Sequence, residues 1–345
     1  MDEKVISKVI EKNKEFWKLT NKEPLLARIP FNGFNKKPYP VKGGREIIDP
    51  EKVLPEDIDI SRLVGEGKSK PEPVNGDMVN FAGCLYSEAW MESVIGCPIY
   101  ASAFSCSSKP VSVDIENAMD EFTVEGALKS EWFEVMNNVM KKLIDKAGVD
   151  LAVRQLHFRG VIDMLAAFMG EEMLCLSIYL CPEKVAKLAE KFAELYILTA
   201  QRNIDMRQPW KGGYVSAWSV FAPGPILDYQ IDASNLFSLN DYKEHFLEFD
   251  KKIIDKFPYS MLHMHACGLH ILDAVLEIEN LKAVEVTIER ETGVFRKELI
   301  LESCKKIQAA SKSVIVNGEL NEEEIAEFTE KLDPAGLAIF YWKPI

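Results

Sequence analysis

The feature that most constrains this chain is an alternation. Short runs rich in Val, Ile, Phe and Tyr are separated by long stretches whose apolar residues recur every three to four positions. That rhythm is the signature of βα units laid side by side in a parallel sheet. Eight runs read as strands: 24–31, 98–105, 149–158, 214–221, 259–265, 283–289, 313–319 and 337–342. Eight strands with intervening helices predict a single (β/α)8 TIM-type barrel over residues 1–345. An open doubly wound sheet is the rival arrangement. No glycine-rich dinucleotide fingerprint follows any run, and there is no phosphate loop. Residues 1–24 read as an N-terminal helix. Residues 34–80, rich in Pro, Gly, Lys and Asp, read as an irregular extension. The chain stops soon after the last run, so a shortened C-terminus is expected. Helices are expected to open at Pro182, at Asn240 as an N-cap, and at Asn321, where Glu322–Glu324 suit the helix dipole.

Composition narrows the function classes. Lys plus Arg number 41 against 54 Asp plus Glu, a net charge of −13. Such a surface repels phosphate backbones and anionic lipids, so neither nucleic acid nor membrane is expected as a partner. No apolar run reaches the roughly 18 residues of a membrane span. The seven cysteines are odd in number and form no CxxC pair, which favours reduced thiols and a cytoplasmic setting. Cys304, inside a helical run, reads as a core thiol.

Chemistry concentrates in SMLHMHACGLH, which holds three of the five histidines. On a strand, His263, His265 and Cys267 share one face. The C-terminal end of a barrel strand feeds the mouth, where active sites form. His265 and Cys267 would then stand side by side, a donor pair suited to Zn²⁺. The bland alternative is a core histidine beside a buried thiol. Glu319, at the end of VIVNGE, is the candidate third ligand; a helix-start acid is its alternative. His263 lies one layer deeper, and Glu285 and Glu289 share a face with Thr287, so these are candidates to orient the ligands. Trp218, Phe221, Tyr229, Asp232, Tyr341 and Trp342 are candidates for a substrate wall, or simply for filling the mouth. Arg154 and Arg159 could receive a carboxylate, or pair with surface acids. Neither a Gly-x-Ser-x-Gly elbow nor HExxH is present.

The order of segments resembles the uroporphyrinogen decarboxylase superfamily. HFRGVIDMLAAFMGEEMLCLSIYLCPEKVAKLAEKF, DASNLFSLNDYKEHFLEFDKKIIDKF, MHACG, LKAVEVTIE and VIVNGEL carry the resemblance, which covers about 150–345 well and the first 150 residues loosely. It implies a (β/α)8 barrel. True porphyrin decarboxylases of this superfamily carry an arginine-rich first strand and an acid on the second. Here those places read LLARIPFNGF, with Arg28 alone, and PIYASAFS. The resemblance is therefore to the branch of corrinoid-dependent methyltransferases, whose His-x-Cys pair and a later Cys bind zinc. His265 and Cys267 match that pair; no cysteine follows Cys304. What it implies is a zinc-dependent methyltransferase or demethylase. Such an enzyme moves a methyl group between a small methylated substrate and a corrinoid held by a separate protein. The alternatives are a metal-independent decarboxylase of a small acid, using Arg28, Arg154 or Arg159, and a binding barrel without turnover. A homodimer is a further expectation.

Overall fold

The computed structural model describes residues 3–29, 37–65, 76–86, 88–103, 105–111, 115–290 and 296–342. Its centre is a parallel sheet of six strands: β1 (Leu25–Arg28), β2 (Ile226–Gln230), β3 (Tyr259–His265), β4 (Ala283–Ile288), β5 (Ser313–Glu319) and β6 (Leu337–Trp342), in the order β1-β6-β5-β4-β3-β2. Parallel neighbours need crossovers. Helices Leu239–His245 and Leu247–Ile254 link β2 to β3, Lys297–Ala309 links β4 to β5, and Glu322–Lys331 links β5 to β6.

Alternation along each strand sorts its side chains onto two faces. Leu227, Leu262, Val284, Val286, Val314, Val316 and Ile339 join the helices in the main core. Leu25, Ala27, Met261, Ala283, Ile315, Ala338 and Phe340 form a second, inner cluster. The N-terminal helix Glu3–Trp17 inserts Phe16 into that inner cluster. Ser313 Oγ donates to the Phe16 carbonyl, and Trp17 Nε1 donates to the Phe221 carbonyl, so the helix closes one end of the inner face.

The expected strands are met unevenly. Runs 259–265, 313–319 and 337–342 are strands over those same residues, and 283–289 and 24–31 contain β4 and β1. Residues 30–36, part of the first run and of the irregular extension, lie outside the described residues, as do 66–75. The other three runs differ. Ile99–Ala101 sits in an antiparallel sheet between Glu51–Val53 and Cys106–Ser108. Run 149–158 shrinks to Ala152–Val153, paired in parallel with Phe81–Ala82. Run 214–221 is a hairpin, Tyr214–Val215 against Phe221–Ala222, and the strand beside β3 is instead β2, within GPILDYQ. Among the described residues, backbone ladders therefore join six strands of the main sheet and not eight.

Side chains cover both edges of that sheet. Asp77 donates its N–H to the Leu26 carbonyl and accepts the Leu26 N–H on Oδ2. Buried Gln155 donates Nε2 to the Asp228 carbonyl (2.9 Å) and accepts the Asp228 N–H on Oε1 (3.2 Å). A side-chain amide thus serves β2 as a neighbouring peptide would.

Local signals explain several helix starts. Asn321 caps Glu322–Lys331 with a capping box to Glu324, and Pro182 opens Pro182–Met206. The start expected at Asn240 moves to Ser238, which forms a capping box with Asp241. Cys304 is buried in its helix.

Candidate functional site

The site grows from the pairing of β3 with β4. Their register sets His263 beside Glu285 and His265 beside Thr287, all on the inner face. His263 Nδ1 bonds the carboxylate of Glu285, which is fully buried. Thr287 Oγ1 donates to the other oxygen of Glu285 (2.8 Å) and so fixes the acid. His265 Nδ1 lies 3.0 Å from Glu289 Oε1. Strand alternation alone sets His263 a layer below His265, yet the two rings turn so that their Nε2 atoms meet at 3.0 Å.

The third member comes from the short helical turn Asp232–Leu236, directly after β2. Asp232 Oδ1 lies 3.5 Å from His265 Nε2 and 3.9 Å from His263 Nε2. Gln230 Nε2 holds the other oxygen (3.0 Å). Asp232 Oδ1 is buried and makes no hydrogen bond within the protein. Among the described residues, Asp232, His263 and His265 are the group of three whose ligand atoms all fall within 4.8 Å of one another.

The turn carrying Asp232 is itself anchored. Asp163, in helix Val161–Met169, accepts the Ala233 N–H at 2.6 Å. That helix begins at Gly160, where any Cβ would run into the Gln230 carbonyl and the Tyr229 ring. Glycine is what lets the helix approach β2 so closely. Burial, and then the neighbouring charge of Asp232, hold the Asp163 carboxyl well above its ordinary value. Arg159 balances part of this acidity and pairs with buried Glu92 at 3.2 Å.

Burial alone would lower the His263 pKa, but the charge and hydrogen bond of Glu285 outweigh it and the net shift is upward. His157 goes the other way. Burial, reinforced by His263 and Arg154, lowers it to about 3, so it is neutral. Its ring stacks on Trp218 (5.8 Å, 7°), and Trp218 meets His263 edge-on at 5.2 Å. Asp228 is raised to about 7 by burial, against the Ala217 N–H and the charges of Arg207 and Arg154.

The other candidate residues scatter. Cys267 is exposed, takes the Asn235 amide at 3.8 Å, and borders a pocket of about 10 Å³ with Asp232, Ser234, Met264 and His265. Glu319 is not gathered with the histidines; Arg290 lies 3.5 Å from its carboxylate. Trp342 pairs with Glu319 across β5 and β6, while Tyr341 turns to the helix-covered face. Tyr229, expected at the mouth, also faces the helices, where its hydroxyl donates to buried Asp250. Phe221 packs under the N-terminal helix. Arg154 is half-buried over the Phe81 ring and donates to the Ala217 carbonyl, and Arg28 is exposed on the outer side of β1. Sequence reasoning missed Asp163, Glu92, Gln230, Asp228 and His157. The start of β2 after Gly224-Pro225 was the available signal for the two residues on β2.

No family model matches the chain, and no curated protein matches it. Among the described residues, no helix is long and apolar enough to cross a membrane. Among solved structures, a methyltransferase from Methanosarcina mazei is similar, with a TM-score of 0.53 and 13% sequence identity over 73% of this chain and 71% of that one. At that identity the likeness is one of fold.

Proposed function

We propose that the protein is a metal-dependent methyltransferase of the uroporphyrinogen decarboxylase superfamily. In this reading it moves a methyl group between a small methylated substrate and a corrinoid carried by a separate protein. One observation carries the metal part. Both histidines have Nδ1 committed to a carboxylate, and both turn Nε2 toward Asp232 Oδ1. Two lone pairs 3.0 Å apart repel unless a proton or a cation lies between them. Carboxylate-anchored imidazoles are the usual way to orient metal ligands. Bonds of about 2.0–2.1 Å at tetrahedral angles put ligand atoms roughly 3.3 Å apart. The observed separations of 3.0, 3.5 and 3.9 Å suit that spacing.

The residues fit zinc, with His263, His265 and Asp232 as ligands and Cys267 at the border of the adjoining pocket. The metal would supply Lewis acidity toward the substrate's heteroatom. Glu285 and Glu289 set the tautomer of each imidazole, Gln230 and Asp163 hold the turn that carries Asp232, and Trp218 walls the site. The fold reading that goes with this is a (β/α)8 barrel, in which Phe81–Ala82 and Ala152–Val153 fill the arc between β1 and β2. The contacts of Asp77 and Gln155 support it.

The cations that a metal-independent decarboxylase would need are dispersed. Arg28 is outside, Arg154 is half-buried and bonded to the Ala217 carbonyl of the hairpin, and Arg159 is paired with Glu92. The test is methyl transfer to reduced cobalamin from methoxyarenes, methylamines and methyl thioethers, with zinc present. Transfer that is lost in Asp232→Ala supports the reading. Tight zinc binding without transfer from any donor class would overturn the methyltransferase assignment.

A further inference from the structure

His263 borders a second pocket of about 10 Å³, whose wall includes His157, Trp218, Asp228, Gln230 and Met261. A space of that size holds one water-sized group. Three polar atoms of these wall residues are buried and make no hydrogen bond within the protein: the donor Trp218 Nε1, the acceptor Gln230 Oε1, and Asp228 Oδ1, which accepts when the carboxyl is ionised and donates when it is protonated. Asp228 and Gln230 are 6% and 3% exposed, so bulk water does not satisfy them. Their remaining polar atoms are committed, Gln230 Nε2 to Asp232 at 3.0 Å and Asp228 Oδ2 to the Ala217 N–H at 2.6 Å. The indole is held in place by the His157 stack and the edge of His263. Buried polar atoms are normally paired, and three orphans around one small space mark a polar subsite.

The donor and acceptor pattern selects the ligand. A carboxylate or phosphate would set its oxygens against the Gln230 carbonyl and, wherever Asp228 is ionised, against a second carboxylate. An ammonium group would meet the field of Arg207 and Arg154, which already offset Asp228. A neutral hydroxyl both donates and accepts, so it matches the indole N–H on one side and a carbonyl or carboxylate oxygen on the other. We propose that this pocket is a subsite for the hydroxyl group of a small neutral substrate, with His263 as the wall it shares with the Asp232–His265 cluster. The proposal rests on the methyltransferase reading only for calling that molecule a substrate, and it narrows the class to short hydroxylated compounds.

The full chain labelled with 5-fluorotryptophan tests it, with the Trp218 resonance assigned from Trp218→Phe. Ethanol, ethylammonium and acetate are titrated as two-carbon probes that differ only in head group. The expected result is a saturable shift of the Trp218 resonance with ethanol, at least about tenfold tighter than with the two ions. Gln230→Leu is expected to weaken the ethanol response by a similar factor. No saturable shift with ethanol, equal or tighter binding of either ion, or an unchanged response in Gln230→Leu would each overturn the proposal. Once the Trp218 resonance is assigned, the probe comparison is made in the unaltered chain and needs no further variant to fold. The readout needs neither metal nor corrinoid, so a failure of methyl transfer with ethanol binding intact would count against the function alone.

Discussion

The Nε2 atoms of His263 and His265 face each other at 3.0 Å, although the two residues stand in successive layers of one strand. Glu285 and Glu289 bring this about by taking the Nδ1 atoms on the far sides of the rings. The carboxylates thus do more than balance charge. They decide which nitrogen of each histidine remains available, and both remaining nitrogens point at Asp232.

Zinc binding should therefore depend on Asp232 and not on Glu319. Asp232→Ala, His263→Ala and His265→Ala are each expected to weaken zinc by at least about 100-fold, because a lost ligand costs more than a lost orienting group. Glu319→Gln should leave affinity unchanged, since that carboxylate lies beside Arg290. Competition with a chromophoric chelator measures all four. Equal losses for Glu319→Gln and Asp232→Ala would show that the ligand set is drawn wrongly.

Glu285→Gln keeps the shape of the side chain and removes its charge. Zinc affinity should fall by about 10–100-fold, the usual effect of losing a carboxylate behind a histidine ligand. The signature of a positioning role is in the ring itself. Nitrogen-15 spectra of the metal-free protein should show the His263 tautomer change in Glu285→Gln and stay put in Glu289→Gln. If both variants leave the His263 tautomer as it was, Glu285 does not orient it.

How much of this is legible in the chain depends on which residues carry the signal. Strands β3, β5 and β6 are readable to the residue because apolar outer positions alternate with inner ones and turn residues bound them. Strand β2 is not, because its inner positions are Asp228 and Gln230, polar residues that interrupt an apolar pattern. Its misplacement carries over to Asp232, which reads as a residue of a long loop and is in fact two residues beyond a strand end. His265 stands out from alternation. The convergence of His263 on it does not, because ring rotation is set by Glu285 across a strand pairing that sequence order does not contain. Asp163 reads as one polar residue of a helix. Its contact with Ala233, 70 residues away, exists only in the folded chain.

Acid stability should carry the mark of Asp250. Tyr229 and Tyr242 both donate to this buried carboxylate, but burial prevails and raises it from 3.8 to about 6. The folded protein then holds a proton that the unfolded chain releases between those two values. Its contribution to stability is full below about pH 4 and is lost as pH rises through 6. The change is about 3 kcal/mol, since each tenfold change in proton affinity is worth about 1.4 kcal/mol. Urea midpoints of the wild type and Asp250→Asn, taken at intervals from pH 4 to 7, should diverge because the variant has no proton to lose at this position. Parallel curves would mean that Asp250 titrates in the folded state as it does in the unfolded chain.

Gln155 offers the sharpest test of how the sheet edge at β2 is held. Its amide is the partner of both the N–H and the carbonyl of Asp228, and all of these groups are buried. Gln155→Met keeps length and volume while removing both bonds. The carbonyl keeps the Tyr196 hydroxyl at 3.1 Å, but the buried Asp228 N–H is left unsatisfied, at a cost of about 1–3 kcal/mol. The expected loss of unfolding free energy is therefore about 1–3 kcal/mol, with the denaturant slope unchanged. Global stability alone would not separate this from a packing defect, so the local readout decides. Hydrogen exchange of the Asp228 amide should accelerate by more than the global loss accounts for, while the amides of β4 and β5, in the middle of the sheet, follow the global value. A protected Asp228 amide in Gln155→Met would mean that another group takes the place of Gln155 and that the edge does not depend on it.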